Sequence, residues 1–255
     1  MAIFGARVVM IVLGNGCVNQ AVTHKAFVVV QQPSHGGYVP NDLRPHRIAA
    51  SLAYVVFYDE GADALGSLAL VSHCHDDIYI CDAAAAVAWV IKNIENYGGD
   101  PKQVYVAGLS AGGYLTAMIA LDKRYLETYG VSPKQLAGVF PISGQMSTHF
   151  QILNERRAKD PKTPDFLIDE FAPIYHASSK DVPPMTLLAG DSELDWPARV
   201  EENKLLEMRM RRVYKNPNVK FYSIPGTTHG TCSRPSLAII NDILSKLSKQ
   251  VSQPK

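Results

Sequence analysis

Short runs of β-branched and aromatic residues alternate along this chain with longer stretches of helical spacing. The runs at 26–30 (AFVVV) and 52–58 (LAYVVFY) are apolar throughout and read as buried strands, and 103–109 (QVYVAGL), 136–142 (LAGVFPI), Met185–Ala189 (MTLLA) and 219–224 (VKFYSI) supply further strands. Uninterrupted apolar runs of that length are the mark of strands covered on both faces. Val8–Leu13 reads as a first strand, turned by Gly14-Asn15-Gly16. Asp82 is an N-cap type followed by the apolar run 83–91, which predicts a helix ending near Tyr97-Gly98-Gly99. Further helices are expected at Ala111–Leu121, 198–214 and 235–249. Strand, helix, strand, helix is the signature of an α/β fold: a mostly parallel sheet with helices on both faces. The stretch 145–182 breaks that rhythm with charge and proline and is expected to form a small cap-like excursion above the sheet. No repeat and no linker divides the chain, so one domain is expected over residues 1–255.

Charge narrows the partners. The chain has 255 residues, 25 of them basic and 24 acidic, for a formal charge of +1. That balance leaves no electrostatic footprint for nucleic acid or an anionic membrane. An apolar content of 47% argues against disorder. The longest apolar run, 83–91, is nine residues, about half of what a membrane-spanning helix needs. Cys17, Cys74, Cys81 and Cys232 are too few to build a disulfide scaffold at this length and suit buried or free thiols in a reducing compartment, with room for one bridge. The run Val8–Leu13 is short for a secretion signal and Arg7 sits hard against it, so a cytoplasmic location is expected. Ser72-His73-Cys74-His75-Asp76-Asp77 has residues that metals favour, but the spacing fits no common zinc pattern. No glycine-rich phosphate loop follows a strand. No metal and no cofactor is expected, and oligomeric state is not readable.

The chemistry concentrates in Gly108-Leu109-Ser110-Ala111-Gly112-Gly113, between an expected strand and an expected helix. That context is what a G-x-S-x-G nucleophile turn requires. Small neighbours let strand meet helix in a tight turn that lifts the Ser110 hydroxyl clear of the sheet. The Ala111 N–H then lies at a helix amino terminus, where negative charge is favoured. A serine hydroxyl is inert until a histidine takes its proton, and the histidine needs an acid to fix its tautomer. His229, in the loop after the strand 219–224, is at the same sheet edge as Ser110 and is the expected base. His149 and His176 belong to the excursion. Three carboxylates follow the strand Met185–Ala189: Asp191, Glu193 and Asp195. Any of them is a candidate acid.

From about residue 78 onward the chain resembles the α/β-hydrolase superfamily, within the branch of hormone-sensitive-lipase-like and bacterial carbohydrate esterases. The resemblance is carried by Asp82-Ala83-Ala84-Ala85-Ala86-Val87-Ala88-Trp89, Tyr97-Gly98-Gly99-Asp100-Pro101, the segment 108–113, Pro173-Ile174-Tyr175-His176, Pro183-Pro184, Gly190-Asp191-Ser192-Glu193 and His229-Gly230. It implies an α/β-hydrolase fold and a serine esterase with a small-molecule ester substrate, of short acyl chain and in some relatives on a sugar. It also implies an acid three residues past the glycine that ends its strand, which singles out Glu193. The first 77 residues match less well. Ser34-His35-Gly36-Gly37-Tyr38 stands where such proteins carry a glycine-rich segment, making Gly36 and Gly37 expected oxyanion donors beside Ala111; Gly14-Asn15-Gly16 is an alternative further upstream. Two rival readings are amide hydrolysis of the formamidase kind and a catalytically silent α/β-hydrolase fold that binds a ligand or a partner protein.

Overall fold

The computed structural model describes residues 8–13, 25–31, 52–59, 62–69, 78–97, 99–177 and 182–251. Eight strands form one sheet: β1 (Val8–Leu13), β2 (Lys25–Gln31), β3 (Leu52–Asp59), β4 (Ala62–Ala69), β5 (Val104–Leu109), β6 (Gly138–Ile142), β7 (Met185–Ala189) and β8 (Val219–Ser223), in the spatial order β4-β3-β2-β1-β5-β6-β7-β8. Five of the seven pairings are parallel; β3 is antiparallel to β2 and to β4. The α/β expectation of a mostly parallel sheet is met.

The strand order contains the functional geography. From β1 the chain winds outward to β4, then returns to place β5 on the other side of β1 and winds outward again to β8. Neighbouring β1 and β5 are parallel, with Leu13 beside Gly108, and their onward connections leave in opposite directions. Ligands of open α/β sheets bind outside the carboxyl ends of the strands at such a reversal. Because β5, β6, β7 and β8 are parallel, the residues following each of them meet at that one edge.

Six helices complete the described elements: α1 (Ile78–Asn93), α2 (Ala111–Leu121), α3 (Lys123–Glu127), α4 (Phe150–Lys159), α5 (Arg199–Met208) and α6 (Ser233–Val251). Alternation along the strands sorts their packing. Val104 and Val106 of β5, Val139 of β6 and Met185 and Leu187 of β7 join one apolar cluster with α1, α2 and Leu206 of α5. Tyr105 and Ala107, Phe140 and Ile142, and Leu188 point the other way and pack with Ile240 and Leu244 of α6. Side chains of successive strand residues leave on opposite faces, so a strand apolar at every position supplies two cores.

Several boundaries differ from the sequence reading. Helix α1 begins at Ile78 rather than at Asp82. Ile80 and Cys81 bury in the same cluster as the later turns, and extending the helix to bury them carries Asp82 inside it, 3% exposed. Helix α5 ends at Met208 and the chain continues through a wider π turn at Arg209–Val213. Strand β4, ADALGSLA, has no β-branched residue, and it pairs with β3 along its whole length. The excursion 145–182 lies between β6 and β7 and carries α4 and a short turn of helix at Pro173–His176. Cys81 is disulfide-bonded, so the chain holds the bridge that its cysteine count leaves room for, while Cys232 is free and buried. Among the described residues no helix is long and apolar enough to cross a membrane.

Candidate active site

Strand β5 ends at Leu109 and helix α2 begins at Ala111, so Ser110 alone makes the connection. It does so at φ 58° and ψ −117°, a region that side-chain-bearing residues rarely adopt and that costs on the order of 1–3 kcal/mol. The surroundings hold it there. Ser110 N–H donates to Ile142 C=O at 2.8 Å, and its own C=O accepts from Tyr114 N–H at 3.0 Å. Closeness of strand and helix explains the flanking glycines: a Cβ on Gly108 would stand 2.1 Å from the Gly112 carbonyl oxygen, and one on Gly113 would stand 2.7 Å from that of Ile142. The hydroxyl is thus presented at the sheet edge, and Ala111 N–H heads a helix, among the N–H groups that have no intrahelical acceptor.

His229 sits in the loop after β8. Its turn is pinned by Thr228 N–H donating to Thr231 Oγ1 at 2.8 Å and by Cys232 N–H donating to Thr228 C=O at 3.0 Å. Its ring spans two groups: Nε2 lies 2.9 Å from Ser110 Oγ and Nδ1 lies 2.9 Å from Asp195 Oδ1. An ionised carboxylate only accepts, so Nδ1 carries the proton and Nε2 is left to accept from the Ser110 hydroxyl.

The carboxylate facing His229 belongs to Asp195, not Glu193. Residues 191–195 fold into one turn closed by Asp195 N–H donating to Asp191 C=O at 2.8 Å. That turn leaves Glu193 exposed and turns Asp195 inward, its side chain 1% exposed. Asp191 braces the loop instead, its carboxylate accepting from Glu193 N–H at 2.9 Å and Gly226 N–H at 2.8 Å. Counting residues from Gly190 misses this because the loop coils before its acid points inward. Burial opposes ionisation of Asp195, but hydrogen bonds from His229, Ser143, Gly190 N–H and Trp196 N–H outweigh it and hold the pKa at about 2. Gly190 is required by proximity, since a Cβ there would meet Thr227 O at 2.7 Å and Asp195 Oδ2 at 2.9 Å.

Three neighbours were not anticipated. Ser143 follows β6 and is buried, with its hydroxyl 2.9 and 2.7 Å from the two Asp195 oxygens and 2.9 Å from His229 Nδ1. Its φ is 45°, a second strained serine one strand over from Ser110. The sequence signal was its place: Ser143-Gly144 directly past a strand whose carboxyl end shares the edge. Trp196 stacks on His229 with ring centroids 4.1 Å apart and planes 10° from parallel. The Arg199 guanidinium lies 5.7 Å from the Trp196 ring centroid. His149 and His176 stand apart from this group. His149 is a buried cap of α4, accepting from Gln151 N–H at 3.3 Å, and burial and then the charge of Arg199 push its pKa down to about 4. His176 Nε2 is 2.7 Å from Glu170 C=O. Gly14, Gly36 and Gly37 lie outside the described residues.

A profile of the Carboxylesterase family matches residues 63–130, the stretch that contains β5, Ser110 and all of α2. The apo form of Thermogutta terrifontis esterase 2 superposes with a TM-score of 0.57 at 18% identity, covering 95% of this chain and 85% of that one, which speaks for a shared fold. The chain has the α/β-hydrolase fold. Relatives in sequence include a probable carboxylic ester hydrolase, LipM, of Mycobacterium tuberculosis, 30% identical over 59% of this chain and 37% of its own length. Isoprenylcysteine alpha-carbonyl methylesterase of Arabidopsis thaliana is 25% identical over 59% of this chain and 38% of its own. The chain therefore spans about two-fifths of the length of these relatives.

Proposed function

We propose that this α/β-hydrolase cleaves carboxylic esters through an acyl-enzyme formed on Ser110. One observation carries the reading: Ser110 Oγ, His229 and Asp195 form a continuous hydrogen-bonded line of 2.9 Å steps across three loops of one sheet edge. Ser110 Oγ attacks the ester carbonyl carbon while its proton passes to His229 Nε2. Asp195, ionised throughout, steadies the imidazolium through Nδ1–H. Charge developing on the carbonyl oxygen is met by Ala111 N–H, with Gly36 and Gly37 the further donors expected from the sequence; one such donor is worth about 2.7–4 kcal/mol in the transition state. His229 returns the proton from Nε2 to the departing alkoxide, which leaves as the alcohol. A water then gives a proton to Nε2 and attacks the acyl carbon; as the bond from that carbon to Oγ breaks, Nε2 passes the proton to Oγ, which releases the acid and restores Ser110.

The acyl group in this reading is short. Support comes from solved structures of Thermogutta terrifontis esterase 2 with propionate and with butyrate bound. No feature among the described residues favours a sugar as the alcohol. The test compares p-nitrophenyl butyrate hydrolysis by the parent and by Ser110→Ala. A fall of at least about a thousandfold in the variant is expected. Equal background rates in two folded proteins would favour the silent-fold reading, and cleavage of N-formylkynurenine in preference to the ester would favour the amidase.

A further inference from the structure

Arg199, the first residue of α5, is buried, 7% exposed, and among the described residues no carboxylate lies within ion-pair distance of it. A guanidinium offers five N–H donors. Here the recorded hydrogen bond is from Nη2 to Gln145 Oε1 at 3.5 Å, the long limit of such contacts, and Nε is buried with no partner. The nearest carboxylates are committed elsewhere. Glu202 accepts from Met146 N–H at 2.6 Å, Ser147 N–H at 3.1 Å and Ser147 Oγ at 2.9 Å. Asp195 is taken by His229, Ser143 and two backbone N–H groups. Burial disfavours the charged guanidinium and lowers its pKa, with Glu202 and Asp195 offsetting this at longer range. An under-coordinated buried cation is costly, and a folded protein retains one where something else satisfies it.

Its position says what. Trp196 connects Arg199 to the candidate site, with the guanidinium over its ring and the His229 imidazole stacked on it. Trp196 is itself 49% exposed, so the ring that both groups contact is open to solvent. Gln145, the Arg199 partner, follows Ser143-Gly144 at the same edge. His149, its pKa pushed down to about 4 by burial and by the Arg199 charge, is neutral at neutral pH and adds no second positive charge, while Glu202 and Asp195 act on Arg199 from beyond ion-pair distance.

We propose that Arg199 is the subsite for a carboxylate carried by the substrate, so that the ester preferred by this site is the monoester of a short dicarboxylic acid or an ester of comparable anionic chemistry. The substrate carboxylate accepts from the Nη N–H groups of the guanidinium while Trp196 covers the carbon chain between it and the scissile carbonyl. This rests on the ester-hydrolase reading, and two measurements separate their failures. The first compares kcat/KM for mono-p-nitrophenyl glutarate with that for p-nitrophenyl butyrate. The parent prefers the anionic ester, and Arg199→Gln lowers the ratio of the two values by about tenfold to a hundredfold, the range for losing hydrogen bonds to a charged group; Arg199→Lys restores part of it. The second is calorimetric titration of Ser110→Ala with glutarate, which needs no turnover. Saturable binding that weakens at least tenfold in Ser110→Ala/Arg199→Gln supports the subsite. A parent ratio at or below one, or glutarate heats no different from dilution, overturns it even if the butyrate ester is hydrolysed. If neither ester is cleaved but glutarate binds through Arg199, the ester-hydrolase reading fails and the anion site stands. Should Arg199→Gln not fold, the parent ratio and the Ser110→Ala titration still decide.

Discussion

The turns after β5 and after β6 are neighbours on one sheet edge, and each ends in a serine at positive φ, 58° for Ser110 and 45° for Ser143. Both hydroxyls touch the same imidazole at 2.9 Å, but on opposite nitrogens. Ser110 meets Nε2 from a partly exposed position and heads a helix whose first N–H groups are unclaimed. Ser143 meets Nδ1 from full burial, and its one proton goes to the Asp195 carboxylate. The strain therefore serves different ends. At Ser110 it exposes an oxygen to a reacting carbon; at Ser143 it inserts an oxygen between acid and base, where no substrate reaches. Ser143 is a positioning residue by its contacts: it donates to Asp195 and offers Nδ1–H a second acceptor, so the imidazole is held from behind while Nε2 faces the substrate.

The largest effect that separates the two turns comes from the group Ser143 serves. Asp195→Asn removes the acceptor that fixes the Nδ1–H tautomer, and p-nitrophenyl butyrate turnover is expected to fall by roughly a thousandfold to ten-thousandfold. Next in size, Ser143→Ala is expected to lower kcat about tenfold with KM little changed, and to cost about 1.5–3 kcal/mol in urea unfolding, because a hydrogen bond to an ionised group is lost. A Ser143→Ala protein with parent kcat would break the comparison, reducing the second turn to packing. The same pair predicts a pH dependence. The folded pKa of Asp195 is lowered to about 2 from an ordinary 3.8, so its contribution to stability is complete above about pH 4 and is lost as pH falls toward 2. Acid titration of the parent therefore shows a loss of stability in that window that Asp195→Asn lacks. Smallest of all, Glu193→Gln is expected to leave turnover within about twofold, since Glu193 is exposed and faces solvent; a hundredfold loss would return the acid role to it.

How much of this was written plainly in the sequence follows from how local each signal is. Ser110 needs only its own glycines and the strand and helix that flank it, so six residues announce it. His229 needs the strand before it. The sheet from β5 to β7 is legible because each strand is apolar on both faces and packs two clusters, while β8 is marked by Val219 and Phe221 on one face. Asp195 was one of three carboxylates in five residues, and the turn closed by its bond to Asp191 C=O decides which points inward; residue types do not show that turn. Ser143 and Trp196 depend on distances between loops far apart in sequence, 86 residues in the case of Ser143 and His229. Strand β4 lacks the β-branched residues that mark a strand and exists through its pairing with β3.

The measurement that tests the central claim most directly uses paraoxon, which phosphorylates Thermogutta terrifontis esterase 2 in a solved structure. Oxygen attack on phosphorus forms a diethylphosphoryl serine and releases one p-nitrophenol. Peptide mass spectrometry of the labelled protein then reads which oxygen attacked. The account predicts one equivalent of p-nitrophenol and one label, on Ser110, with none on Ser143 and none in Ser110→Ala. Label on Ser143, or a folded protein that takes up no label at all, would contradict it.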